Sequence, residues 1–142
     1  MKKAFLFIIA ATTLLSFTGC KKAIEAAKEQ AVIDAITDGT WYISKFTEGG
    51  TDITSTFAGW EFTFYSNNTS VGKKTGNPDV TGTWMGDANT FSFTTTFTSF
   101  PVPDPLPKAA GTWVVTRAVS TNKGSYARTV GGITYEMDMT KK

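Results

Sequence analysis

The sequence predicts an all-β protein, an eight-stranded antiparallel up-and-down barrel preceded by a short N-terminal helix. Aromatic residues make up 13% of the chain and threonine is abundant, a composition that favours strands over helices. From Gly39 onward, short runs alternate between apolar and polar residues, and most are separated by glycine, asparagine or aspartate. Tight turns therefore join the strands, and a sheet with one apolar face removes its edges by closing on itself.

Residues 1–19 are predicted to form a signal peptide that is removed from the mature protein. Lys2 and Lys3 provide a basic start, residues 4–15 form an apolar run, and the small residue Gly19 precedes the expected cleavage point. The apolar run rises only about 18 Å as a helix, whereas the hydrocarbon core of a bilayer is about 30 Å thick. The segment is therefore read as an export signal and not as a permanent membrane span.

Cys20 is the single cysteine of the chain and is predicted to carry a lipid. An exported protein that used cysteine for folding would need a second cysteine to pair with. The preceding Leu-Ser-Phe-Thr-Gly segment resembles a lipobox, in which a lipid is attached to the cysteine thiol and the peptide bond before the cysteine is cut. Cys20 then becomes the first residue of the mature protein. The membrane is then the partner of Cys20, held through acyl chains such as palmitate. The alternative is an ordinary secreted protein with a stray cysteine near its cleavage site.

The charge of the mature chain is balanced. The signal removes Lys2 and Lys3 from the 14 basic side chains, which leaves twelve, equal to the 12 acidic ones. The remaining basic residues occur singly or in pairs, without the stripe or patch that nucleic-acid-binding proteins present. No nucleic-acid partner is expected.

The chain contains no histidine, and its cysteine is assigned to the lipid. Ser-His-Asp and Cys-His catalysis, and zinc sites built from those ligands, are thereby excluded. Glu136 and Asp138 are the best-spaced carboxylate pair, but they alternate with apolar residues and should point to solvent. We expect no catalytic residue, no metal site and no cofactor, and hence no enzyme.

Residues 20–38 are predicted to hold the lipidated cysteine, a tether and a short helix. Residues 22–37 are rich in alanine and place apolar residues at helical spacing, and Asp38-Gly39 ends the helix. The helix is either a spacer or a cap over one end of the barrel. Its apolar face favours the cap.

Residues 39–142 are predicted to form the barrel domain. In the first strand, alternation places Phe46 on the face opposite Trp41 and Ile43. Gly131-Gly132 is the signal of a two-residue hairpin. The predicted strands are Thr40–Thr47, Ala58–Tyr65, Thr69–Thr75, Val80–Met85, Thr90–Thr98, Thr112–Ala118, Ser125–Val130 and Ile133–Thr140.

Eight bulky aromatic residues are predicted to face the interior, as the wall of a ligand cavity or as core. They are Trp41, Trp60, Phe62, Phe64, Trp84, Phe91, Phe93 and Trp113. An eight-stranded barrel is narrow enough for side chains to fill, or it holds one small ligand. Three of the tryptophans follow a Gly-Thr pair, where glycine allows a bend into the strand, and a core role is favoured over ligand stacking.

The segment 99–110 is predicted to be a stiff loop because prolines alternate with other residues over 101–107. Phe100, Val102 and Leu106 make it apolar for a surface loop. It is interpreted as a lid over the barrel mouth, a strip that docks a partner, or a crossover packed against the barrel.

The chain resembles small lipocalin-like lipoproteins of Bacteroidetes. The resemblance is carried by the N-terminal cysteine, the short helix, Asp38-Gly-Thr-Trp41, the segment Phe57–Phe64, the turn Ser66-Asn-Asn68 and the later Gly-Thr-Trp motifs. It implies a calyx-like barrel, and it implies no agreed catalytic or ligand-binding residues.

Two functional hypotheses remain open at this point. One is a membrane-anchored lipoprotein that binds a small apolar ligand inside the barrel. The other is an envelope structural or protein-interaction module whose barrel is filled by side chains. Lys21-Lys22-Ala23-Ile24 follow the cysteine, where surface-displayed members of the resembling group have acidic residues. The expected location is therefore the outer membrane, facing the periplasm.

Overall fold

The computed structural model of the chain describes residues 30–31, 33–117 and 120–142. The predicted signal peptide, Cys20 and the start of the predicted helix lie outside these residues. None of the helices in the described part of the chain has the length and apolar composition needed to cross a membrane.

Eight strands form a closed antiparallel barrel in which neighbours along the chain pair with one another and the last pairs with the first. The predicted fold class is thus confirmed. A ninth strand, the two-residue β2, pairs only with the last two residues of β1 and lies outside the closed barrel. The strands are β1 (Thr40–Glu48), β2 (Thr51–Asp52), β3 (Glu61–Phe64), β4 (Thr69–Lys73), β5 (Val80–Asp87), β6 (Ser92–Phe97), β7 (Gly111–Arg117), β8 (Lys123–Val130) and β9 (Ile133–Lys141).

Within the described residues, three short helical segments accompany the barrel. Residues 30–31 and 33–37 are helical and are called α1. A 3-10 helix covers Thr54–Phe57, between β2 and β3. A single turn of helix, α2 (Leu106–Ala109), lies between β6 and β7.

The hairpin between β8 and β9 has the predicted two-residue loop. Val130 pairs with Ile133, and Gly131 and Gly132 form the connection. Their φ angles of 57° and 81° lie in the left-handed region, which glycine adopts without a steric penalty. Two successive positive φ angles are what a type I′ hairpin turn requires.

A β-bulge in β1 changes which face of the sheet the side chains of its second half point to. The pairing of β1 with β9 shifts between Ile43 and Lys45. Phe46 therefore points inward and is fully buried, with its ring 4.6 Å from that of Phe57. The sequence prediction for Phe46 was wrong because a strict period of two does not hold across an inserted residue.

The direction of the strands defines two ends of the barrel. Trp41 near the start of β1 pairs with Lys141, whereas Glu48 at its end pairs with Tyr135. We call the end where α1 leads into β1 the helix end, and the opposite end the plug end. The helix end carries the turns 65–68 and 88–91 and residues 120–122; the plug end carries Thr54–Phe57, α2 and the turn 131–132.

Candidate functional site

The barrel interior is the candidate site, and it contains seven of the eight aromatic residues predicted to face it. Each is at most 5% exposed: Trp41, Trp60, Phe62, Phe64, Trp84, Phe93 and Trp113. The exception is Phe91, which is 70% exposed. Strand β6 begins only at Ser92, and Phe91 adopts a left-handed φ of 48° in the preceding turn. The prediction of an inward Phe91 was wrong because the alternation was extended past the start of the strand.

The buried rings pack in two groups along the barrel axis. Edge-to-face and tilted pairs of this kind contribute beyond the area that they bury. The group toward the helix end consists of Phe64, Trp84, Phe93 and Tyr126, with neighbouring centroids 5.4 to 6.1 Å apart. The group toward the plug end consists of Phe46, Phe57, Trp113 and Tyr135, at 4.6 to 6.4 Å.

A void of about 20 Å³ lies beside Phe64 and Phe93 of the first group. Phe62, Phe93 and Met137 line it, and Ser70 and Thr95 are the polar residues in its wall. A water molecule needs about 10–15 Å³ of such space, whereas small-molecule pockets occupy about 300–1,000 Å³. The void therefore has room for about one water molecule.

The three tryptophans that follow Gly-Thr share one structural role. Each donates its indole N–H to a backbone carbonyl oxygen at an end of the barrel, at 2.9 Å. Trp41 binds the carbonyl of Ile36 and Trp84 that of Tyr65, both at the helix end; Trp113 binds that of Ala109 in α2, at the plug end. The motif thus fixes the segments that close the two ends, which accords with a core role.

The proline-rich loop closes the plug end. Leu106 is fully buried and Val102 packs against the core, while Phe100 is 95% exposed. Of the three apolar residues predicted for a lid or docking loop, two therefore face the barrel and one faces solvent. The part of the loop that enters the mouth of the barrel is α2, with the buried Leu106 at its start. We call α2 the plug.

Arg128 on β8 holds α2 in this position. Its guanidinium group donates hydrogen bonds to the carbonyl oxygens of Lys108, at 2.6 Å, and of Ala110. It also lies 4.5 Å from the ring centroid of Trp113 and 5.2 Å from that of Tyr135. Burial lowers the pKa of Arg128, but a guanidinium remains charged at all physiological pH values.

An ion pair adds a second connection between α2 and the barrel. Lys108 Nζ lies 2.6 Å from Glu48 Oε2, and the Tyr135 hydroxyl donates to Glu48 Oε1 at 3.1 Å. The hydrogen bond from Lys108 lowers the pKa of Glu48, and the same bond raises the pKa of Lys108. The sequence analysis did not single out Arg128, Glu48 or Lys108, since no local pattern links residues 20 to 60 positions apart.

At the helix end, α1 takes the position of a cap and not of a spacer. Ile36 is buried in the core and Ile33 is partly buried against it. Lys141 Nζ lies 3.1 Å from Asp38 Oδ2 and 5.5 Å from the ring centroid of Trp41. Both ends of the barrel are therefore covered by the chain itself.

Burial of the Tyr126 hydroxyl predicts an alkaline limit to stability. Desolvation raises the pKa of Tyr126 to about 12, against about 10 in an unfolded chain. The folded state therefore holds the phenolic proton more tightly than the unfolded chain does. The stability linked to this proton is fully present below pH 10, and it is lost as pH rises through 12. Two pKa units correspond to about 3 kcal/mol. We expect urea unfolding between about pH 9 and 12 to show a smaller loss of stability in Tyr126→Phe than in the wild type; equal losses would contradict this.

The carboxylate pair considered from the sequence lies on the outside of the barrel. Glu136 and Asp138 lie on the outer face of β9, alternating with the buried Met137 and Met139. Glu136 is paired with Lys45, at 4.0 Å, and accepts a hydrogen bond from Thr47. Within the described ranges, no group of three or more potential metal-ligating side chains occurs.

Comparison with known proteins supports the fold. No known family matches the sequence, and no curated protein matches it. The chain is similar in structure to a DUF4847 family protein from Bacteroides vulgatus, known from its crystal structure. The match has a TM-score of 0.55 and 14% sequence identity, and covers 78% of this chain and 97% of the other. At this identity the similarity shows that the two chains share a barrel fold.

Proposed function

We propose that this chain is a lipid-anchored protein of the cell envelope whose barrel is a closed scaffold that acts through its outer surface. The observation that carries the proposal is the filled interior. Among residues 33–117 and 120–142, side chains occupy the interior around a void of about 20 Å³, and a segment of the chain covers each end. A small-molecule carrier needs a cavity more than tenfold larger, of about 300 Å³ or above.

The anchor part of the proposal rests on the sequence. A basic start, an apolar run and Gly19-Cys20 have the order of a lipoprotein signal. One acyl chain binds a membrane reversibly, whereas two or more hold a protein there stably. The basic pair after Cys20 supports a position on the periplasmic face of the outer membrane. We expect a protease added to intact cells to spare the barrel; its digestion there would place the protein on the cell surface.

A second candidate is the carrier of a small apolar ligand in a lipocalin-like calyx. The feature that favours it is the nature of the plug. Leu106 is inserted from a loop, and polar contacts from Arg128 and Glu48 hold that loop in place. Arg128 Nε is buried without a hydrogen-bond partner in the described part of the chain, so release of the plug would let water satisfy it. A ligand would then have to displace Leu106.

Native mass spectrometry of residues 21–142 separates the two candidates. The protein is incubated with a lipid extract of the producing bacterium, and we expect the mass of the bare polypeptide. The Arg128→Met variant, whose plug has lost two hydrogen bonds, should also remain empty, as should the control Arg117→Met on the exposed face of β7. A bound small molecule, enriched in Arg128→Met over Arg117→Met, would overturn the scaffold and establish the carrier.

A further inference from the structure

We propose that the helix end of the barrel rests on the membrane through an apolar rim formed by Tyr65, Met85, Phe91 and Val114. The inference builds on the proposed lipid anchor and adds the surface by which the domain contacts the bilayer. These four side chains are 45%, 57%, 70% and 52% exposed, respectively. Tyr65 and Phe91 lie in turns at the helix end, Met85 lies toward that end of β5, and Val114 lies midway along β7.

The rim residues come from neighbouring elements. Tyr65 begins the turn into β4, and that turn is bonded to β5 because the amide N–H of Trp84 donates to the carbonyl of Asn68, at 2.9 Å. Met85 follows Trp84 and points outward. Such an arrangement places Tyr65 and Met85 on adjacent parts of one surface.

Phe91 and Val114 continue this surface around the barrel. The carbonyl of Phe91 accepts a hydrogen bond from the amide of Val115, at 2.8 Å. Val114 pairs with Ser92, the residue after Phe91, and points outward. The turn before β6 is thereby joined to β7 beside the two exposed side chains.

Phe91 is the clearest sign that the rim has a partner. Its φ of 48° lies in the left-handed region, where an aromatic residue is uncommon and glycine or asparagine is favoured. Its side chain is mostly exposed, so burial within this chain gives no compensation. An apolar surface retained at a strained turn points to contact with another apolar phase.

The position of the predicted anchor in the sequence points to a lipid surface as the partner of the rim. Cys20 is ten residues before Gln30, the first described residue of α1. Ten residues reach at most about 35 Å when fully extended. A lipid on Cys20 would therefore limit the distance between α1 and the bilayer to about that length, and a rim too weak to bind a membrane alone can act at the resulting effective concentration.

The chemistry of this end also fits a lipid headgroup region. Aromatic side chains such as Tyr65 and Phe91 prefer the membrane interface. Arg117 and Lys123 flank residues 120–122 at the same end, where positive charge favours anionic headgroups. Asp87 ends β5 beside the turn 88–91, and its carboxylate accepts hydrogen bonds from the backbone N–H groups of Asn89 and Thr90, at 2.8 and 3.3 Å.

Paramagnetic relaxation in lipid nanodiscs tests the orientation. The full mature lipidated protein is placed in nanodiscs of phosphatidylcholine and phosphatidylglycerol that contain a gadolinium-chelating headgroup lipid. We expect several-fold stronger broadening of amide signals in the turns 65–68 and 88–91 than in the turns 49–50 and 131–132. Broadening that is uniform, or strongest at the plug end, would overturn the proposal.

Matched variants show whether the rim causes the orientation. Met85→Ser combined with Phe91→Ser should reduce the difference between the two ends, whereas Phe100→Ser, at an exposed residue of the plug end, should leave it unchanged. Equal effects of the two changes would contradict a specific role of the rim. If the double variant fails to fold, the wild-type pattern alone decides.

The mass of the mature protein separates this inference from the one on which it rests. A chain without acyl groups would refute the anchor and the orientation together. An acylated chain with uniform broadening would refute the orientation and leave the anchor standing.

Discussion

Replacing Cys20 with serine is expected to abolish the incorporation of labelled palmitate into the protein. Serine has no thiol to which a lipid can be attached, and the chain has no other cysteine. The effect should be all-or-none, because Cys20 is the single thiol of the chain. The measurement is the label on the immunoprecipitated protein, together with the intact mass of its mature form.

The control for this experiment is Lys21→Ser, a change of the neighbouring side chain that leaves the thiol in place. It should retain the label and the acylated mass. Label that persists in Cys20→Ser, or a wild-type protein that carries none, would show that Cys20 is not the anchor. The second result would favour the ordinary secreted protein.

Replacing Trp113 with alanine is expected to cause the largest loss of stability of any single core change. Trp113 is fully buried, contacts Phe46 edge-on, supports the guanidinium of Arg128 and binds the carbonyl of Ala109. Removing a buried tryptophan ring costs about 3–5 kcal/mol, and the whole stability of a domain is about 5–15 kcal/mol. Urea unfolding should show the midpoint falling by about 2 M for a slope near 2 kcal/mol per M.

Val114→Ala on the same strand provides the matched control. Its side chain is 52% exposed and points away from the core. Its loss should change the free energy of unfolding by less than about 0.5 kcal/mol. Similar effects of the two substitutions would mean that Trp113 does not connect the barrel with its plug as described.

The alternation of residues predicted most of the interior correctly where the strands are regular. Trp60, Phe62 and Phe64 precede or lie in β3, and all three are buried as expected from a period of two. The pattern failed at Phe46 and at Phe91 for related reasons. A bulge precedes Phe46, and Phe91 lies in a turn. Neither irregularity can be recognised from the alternation of apolar and polar residues alone.

The contacts that close the plug end could not be predicted from the sequence. Arg128, Glu48 and Lys108 come from three elements that meet only after the barrel has closed. The sequence showed that the loop is stiff and apolar, but not which of its residues enters the barrel. In the structure Leu106 lies inside the barrel and Phe100 outside it.

The two ends of the barrel differ in a way that matters for function. The helix end is the end at which the chain enters the barrel from the side of the predicted anchor, and the plug end carries the exposed Phe100. If the helix end faces the membrane, the proline-rich loop projects into the surrounding compartment. A partner protein would then meet the loop first, which is the docking role considered for it from the sequence.

A crystal structure of residues 21–142, purified from a bacterium with its own envelope lipids, tests the central claim most directly. The closed scaffold requires side chains alone between Phe62, Phe93 and Met137, with space for about one water molecule. It also requires Leu106 seated in the mouth under the contacts of Arg128. Elongated electron density of a bound molecule inside the barrel, with Leu106 displaced, would contradict the claim and make this protein a ligand carrier.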